Sequence, residues 1–140
     1  MSDPGLGHGG RGEIADVLIR YATGIDRRDW PLFRTCFTDD CDVDYGDVGS
    51  WSSVDEITDW MTAVHAPCGY TLHRITNIAI APAGDGQARA SSYVDAVLMN
   101  AENTSGMHAM GFYDDEFVRT DDEWRIARRR YTMVHVESLG

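Results

Sequence analysis

The 140-residue chain contains no lysine: all 12 of its basic residues are arginine. That absence excludes Schiff-base catalysis and a phosphate-binding P-loop lysine. Basic charge is scarce altogether, and 23 Asp and Glu residues bring the formal net charge to -11. No nucleic-acid partner is expected, because phosphate recognition needs a basic footprint. An anionic membrane surface is disfavoured for the same reason. Cysteine is limited to Cys36, Cys41 and Cys68. An odd count, with no CxxC spacing and no nearby His pair, argues against a disulfide framework or a zinc site. Free thiols in a reducing cytoplasm are the expectation. No apolar run approaches ~20 residues, so no membrane span is expected. The opening MSDPGLGHGGRG lacks the apolar centre of a signal peptide. HExxH and a closely spaced two-His-one-carboxylate set are both missing, so no metal is implied, and no cofactor is expected. The acidic run Asp39, Asp40, Asp42, Asp44 lacks the Gly and terminal Glu of an EF-hand and reads as a solvated strand edge.

What the chain does have is apolar bulk. Hydrophobic residues make up 43% of it, with four Trp, six Tyr and four Phe, which excludes a disordered protein. This length suits one domain that buries roughly two-thirds of its unfolded surface. The Gly-rich residues 1–12 read as a disordered N-terminal segment and residues 13–140 as a single domain.

The apolar spacing sets the elements. Ile14, Val17, Leu18, Tyr21, Ala22 and Ile25 recur on one helical face. Gly24 is expected to loosen the end of that helix, with Asp26 at its mouth. Asp29 caps a second short helix carrying Pro31, Leu32, Phe33 and Phe37. Cys41, Val43 and Tyr45 alternate as a short strand. Ser53 and Glu56 form a capping box for a third helix with Val54, Ile57, Trp60, Met61 and Val64 on its face. Four strands follow, at Tyr70–Ile80, Gln87–Met99, Met107–Arg119 and Trp124–Glu137, the first two joined by a turn at Ala83-Gly84-Asp85-Gly86. The predicted fold class is α+β: a curved antiparallel or mixed sheet with three N-terminal helices packed on one face. The cone-shaped cavity that such a sheet encloses is the default small-molecule site.

Several blocks carry a resemblance. They are Tyr21-Ala-Thr-Gly-Ile-Asp26, Asp29-Trp30 with Phe33, Asp44-Tyr45, Leu72-His-Arg-Ile-Thr-Asn77, Gly111-Phe-Tyr-Asp-Asp-Glu-Phe-Val-Arg119 and Trp124-Arg-Ile126. Together they span residues 13–137. The chain resembles the SnoaL-like branch of the nuclear-transport-factor-2-like superfamily. That branch includes scytalone dehydratase, hexachlorocyclohexane dehydrochlorinase, bile-acid dehydratase and polyketide cyclases. The resemblance implies a cystatin-like α+β barrel and a homodimer or homotrimer formed through the outer face of the sheet. It leaves the activity open, because this fold carries many.

Read alone, Asp26 suits a solvated turn and His73 a hydrogen-bonded core histidine. A carboxylate at a helix C-terminus does oppose the helix dipole, which favours a functional role for Asp26. The resemblance pairs the two residues as a dyad. His73 is the general base, and Asp26 fixes its tautomer and stabilises the imidazolium. Tyr21 is a core aromatic by spacing and a proton donor by resemblance. Tyr45 matches a substrate-binding Tyr. Scytalone dehydratase carries a Tyr directly before its Asp, where this chain has Ile25.

Substrate contacts are expected from Trp30, Trp60, Tyr93, Asp95, His108, Met110, Arg119 and Arg128. Asp95 has a rival reading as an outward residue paired with an Arg of a neighbouring strand. Arg119 lies near the position of an Arg that the dehydrochlorinase uses. In the run Arg128-Arg129-Arg130 the outer two share a face and Arg129 opposes them.

The expected function is a cofactor-free dehydratase, isomerase or cyclase for a hydrophobic small molecule, such as a secondary metabolite or steroid-like compound. One alternative is a ring-forming cyclase that pairs Tyr45 with Glu137 or Asp95. The other is a non-catalytic assembly subunit like the small subunit of ring-hydroxylating dioxygenases.

Overall fold

The computed structural model describes residues 6–140. Three helices, α1 (Gly7–Asp26), α2 (Trp30–Arg34) and α3 (Val54–His65), accompany six strands. The strands are β1 (Phe37–Asp44), β2 (Ser50–Trp51), β3 (Thr71–Gly84), β4 (Gln87–Met99), β5 (Gly106–Thr120) and β6 (Glu123–Leu139). They form one sheet in the order β2-β1-β6-β5-β4-β3. Every pairing is antiparallel except that of β1 with β6. The expected α+β class, with three helices on a curved mixed sheet, is the one found.

The expected apolar face of α1 is the one buried: Ile14, Val17, Leu18, Tyr21 and Ile25 are each at most 1% exposed. They pack against Ala88, Ala90, Val94, Tyr113, Phe117, Trp124 and Ile126 of the sheet. We call this helix-covered side the inner face. Asp29 caps α2 by accepting from the Leu32 amide. Ser53 caps α3 through the Glu56 amide, while the Glu56 carboxylate reaches back to the Ser52 amide.

Several points differ from the sequence reading. The segment read as disordered is helical from Gly7, with Leu6 buried beneath it and Arg11 donating to the Ile80 carbonyl at 2.6 Å. Residues 1–5 of that segment lie outside the described residues. Phe37 opens β1 rather than extending α2, and the two-residue strand β2 was not anticipated. Gly24 does not loosen α1. It is where α2 crosses: a Cβ there would lie 3.0 Å from the Phe33 amide nitrogen.

Two register slips decide which side chains face inward. In β3 the slip falls between Thr76 and Ala79, where Asn77 adopts φ 51°. Asn tolerates that left-handed conformation. The slip leaves Ile75, Ile78 and Ile80 all packed on the core. In β6 the slip isolates Ala127, so Ile126 and Arg129 point to the same, inner side.

Candidate active site

Asp26 is the last residue of α1, where the helix runs out over β3. Its Oδ1 lies 2.8 Å from His73 Nδ1 and accepts from Thr71 Oγ1 at 3.0 Å. Its Oδ2 accepts from the His73 backbone amide at 2.7 Å. Three donors therefore converge on one carboxylate, as the charged form prefers. Because a carboxylate only accepts, Nδ1 of His73 carries the proton, and Nε2 of the neutral ring keeps its lone pair. Thr71 stands two residues before His73 and so shares its face. Arg28, in a left-handed backbone conformation at φ 57°, donates to Thr71 Oγ1 at 2.8 Å and to the Gly69 carbonyl at 2.7 Å. The pair is shielded, with side chains 8% exposed for His73 and 18% for Asp26.

Beside the dyad stands a cluster of tyrosines. The Tyr21 ring meets the His73 ring edge-on at 6.5 Å between centroids. Tyr21 OH lies 2.7 Å from Tyr45 OH and 2.9 Å from Tyr113 OH. Three hydroxyls carry three protons and these two bonds consume two, so one proton remains free to donate. Burial, reinforced by Tyr45, holds the Tyr21 hydroxyl well above the ordinary tyrosine range, so it stays protonated.

Beneath the cluster, the Arg129 guanidinium lies 3.7 Å from the Tyr113 ring centroid and 4.4 Å from that of Tyr21. Arg129 is fully buried and bound bidentately by Asp115, at 2.7 and 2.9 Å. Burial works against its charge, but Asp115 outweighs that and lifts its pKa well above the usual arginine value. Arg129, rather than the expected Arg128, is thus the inward member of the arginine run; alternation had set the two on opposite faces without saying which was inside.

The register supplies the floor of the site. His73 is level with Ala96 on β4, Ala109 on β5 and Val136 on β6. The neighbouring row runs Ile75, Val94, Gly111, Met133. Ala96 and Ala109 put only small side chains beside the base. Val136 at 41% and Met133 at 45% exposed continue that face past the helices as an apolar surface. Trp30 packs on Phe33 and His65, and Trp60 on Trp51 and Tyr45, both on this side of the sheet.

The structure therefore brings together Asp26, His73, Tyr21 and Tyr45, with Trp30 and Trp60 close by. It separates the remaining expected substrate contacts from them. Tyr93, Asp95, His108 and Met110 occupy the outer face, because Ser92, Val94 and Ala96 take the inward positions of β4. There Asp95 binds Arg74 of β3 at 2.6 Å and His108 at 2.7 Å, its outward rival reading. Partial burial works against the Asp95 charge, but these two partners prevail and hold its carboxyl below the ordinary value.

Arg128 is also outward, half-exposed beside Glu116 and Asp42. Arg119 lies next to the exposed β5–β6 turn with Asp122. Glu137 is outward as well, beside His108 and His135, so neither Glu137 nor Asp95 can partner the buried Tyr45. A groove of about 590 Å³ on this outer side, which includes Arg89, Ser91, Asp114 and Arg130, lies across the sheet from the dyad.

Sequence reasoning missed Thr71, Arg28, Tyr113, Asp115 and His65. Only Thr71 carried a local signal, its i, i+2 spacing from His73. Cys36 and Cys41 are buried free thiols pushed up to about 11 by burial, which rules them out as thiolate nucleophiles.

A family model described as the SnoaL-like domain matches residues 10–130. The chain belongs to the SnoaL-like family. Uncharacterized proteins of Mycobacterium bovis and Mycobacterium tuberculosis are 28% identical to it over 118 residues, which is 84% of this SnoaL-like chain and 80% of theirs. Among solved structures, a protein of Novosphingobium aromaticivorans assigned as a scytalone dehydratase superposes with TM-score 0.84 at 20% identity, covering 91% of this chain and 85% of that one. The hexachlorocyclohexane dehydrochlorinase of Novosphingobium barchaimii superposes with TM-score 0.83 at 17% identity, covering 94% and 91%. The ActVI-ORFA protein of Streptomyces coelicolor does so with TM-score 0.77 at 22% identity, covering 91% and 98%. At these identities the likeness is one of fold. Among the described residues, no helix is long and apolar enough to cross a membrane.

Proposed function

We propose that this chain is a cofactor-free acid–base enzyme, of lyase or isomerase type, acting on a hydrophobic small molecule. The observation that carries the reading is the 2.8 Å contact between Asp26 Oδ1 and His73 Nδ1. It leaves His73 Nε2 as the base and gives the imidazolium a fixed counter-charge once a proton is taken. The apolar floor of Ala96, Ala109, Gly111 and Met133 suits a hydrophobic substrate. The spare proton of the Tyr21–Tyr45–Tyr113 cluster is the acid, delivered to an oxygen that gains negative charge. Arg129, stacked under two of those rings, favours the momentary negative charge left behind. His73 then returns its proton to the cluster, and the residues end as they began.

Elimination is the favoured reaction. The proton leaves carbon for His73, and the leaving oxygen departs with the tyrosine proton. The structural neighbours named a dehydratase and a dehydrochlorinase support that preference. Ile25, directly before Asp26, is fully buried, so the acid is drawn from the cluster rather than from that position.

The test is an NMR titration of the five histidines in wild type and in Asp26→Asn. His73 is expected to titrate at lower pH in the variant, because its counter-charge is gone. Identical titration in the two proteins would retire the dyad and promote the assembly-subunit reading. Once a substrate is in hand, His73→Ala is expected to lower kcat by about 10²–10⁴-fold with the fold intact.

A further inference from the structure

His65, the last residue of α3, is 3% exposed and faces the dyad, its ring 5.7 Å from that of His73 and 6.1 Å from that of Trp30. Its Nδ1 lies 2.8 Å from the Met61 carbonyl. A carbonyl can only accept, so Nδ1 carries the proton and Nε2 presents a lone pair. That Nε2 is buried and has no hydrogen-bond partner among the described residues. Burial also lowers the pKa of His65, and the neighbouring His73 adds to the effect, so the ring stays neutral. Buried acceptors are nearly always satisfied, and one left bare costs about 1–3 kcal/mol. The neutral lone pair beside the base therefore calls for a donor that arrives from outside the protein.

We propose that His65 Nε2 accepts a hydrogen bond from a hydroxyl of the substrate, so that the site selects apolar molecules bearing a hydroxyl over their unsubstituted analogues. This rests on the reading of the dyad as a substrate site. His73 removes a proton, the tyrosine cluster supplies one, and His65 supplies neither: it holds the molecule in register between them. His65 is accordingly a substrate-binding and specificity residue. Selection of this kind is strong when a buried polar group goes unpaired with the wrong ligand.

The probes are 2-naphthol and naphthalene, which differ only by the hydroxyl. Binding to the wild-type protein is measured by calorimetry. Despite its lower hydrophobicity, 2-naphthol is expected to bind about tenfold more tightly. His65→Leu is expected to erase that preference, and His65→Gln, which keeps an acceptor, to restore part of it. A variant-free readout stands beside these: 2-naphthol should shift the ¹⁵N resonance of His65 Nε2 in the wild type, and naphthalene should leave it in place. Equal binding of the two probes, binding of neither, a preference unchanged in His65→Leu, or an unmoved Nε2 resonance each overturns the proposal. The last two would assign Nε2 to a bound water only. Failure of the dyad reads out separately, in the Asp26→Asn titration of His73, which uses neither probe.

Discussion

Asp26 binds one residue twice: one oxygen takes the His73 side chain and the other the His73 main chain. Orientation of the imidazole is thereby tied to the backbone of β3 and not to a freely rotating rotamer. Tyr21 holds the same kind of central place among the hydroxyls. Tyr21→Phe would leave Tyr45 and Tyr113 without their shared partner inside the core. The expected loss is about 1–3 kcal/mol of stability in urea unfolding at unchanged m-value. A loss within experimental error would mean that the cluster is not closed by Tyr21. Both Asp26 and His73 were legible in the sequence only through the family likeness, since neither spacing nor composition separates a dyad from a turn carboxylate and a core histidine. Arg129 was half legible: alternation set it against Arg128 and Arg130 but could not say which side was inside.

At the scale of elements, the helices and strands were readable because α1, α3 and the four long strands follow clean periods. The inner face was not. Tyr93 and Met110 were expected at the substrate, but α1 crowds the inner face, and β4 fills it with Ala88, Ala90, Ser92 and Ala96. Size thus sorted residues to the opposite side from the usual rule. Crowding makes a prediction at Gly24. Alanine is the better helix former there by about 1 kcal/mol. Yet its Cβ would meet the Phe33 backbone at 3.0–3.1 Å. Gly24→Ala is expected to destabilise by about 1–3 kcal/mol, measured by thermal or urea unfolding; a gain in stability would show that α2 yields.

The last turn of α3 makes a second prediction. The pKa of His65 is lowered in the fold from its ordinary 6.5. Below that value the unfolded chain binds the proton and the native chain resists it, so stability falls as pH drops through the window beneath 6.5. Measured from pH 7.5 down to 5, the unfolding free energy of wild type should fall relative to that of His65→Leu; parallel profiles would rule the effect out.

The whole molecule has one covered and one bare side. The bare outer face carries Leu72 at 54%, Tyr93 at 51% and Phe112 at 39% exposed. Beside these apolar side chains run ion pairs from Arg74 through Asp95 and His108 to Glu137. Apolar patches of this kind mark association surfaces. We expect copies of the chain to meet there, so light scattering should report a multiple of 15.6 kDa. Tyr93→Asp combined with Phe112→Asp should return the monomer while His73 still titrates as in wild type. A monomeric wild type would leave the patch without this role.

One feature of the sheet also governs how the protein comes into being. The first strand of the chain, β1, lies between β2 and the last strand, β6, and β6 brings Arg129 to the tyrosine cluster. During synthesis β1 therefore waits for its long neighbour until everything from α3 to β6 has left the ribosome. Tyr45 and Tyr21, both made early, must likewise await the charge that sits beneath them. Assembly is consequently a late, all-at-once closure that depends on distant pairings, the regime in which folding is slow. Any shortening of the C-terminal strand past Arg129 should abolish the sheet and the site in a single stroke.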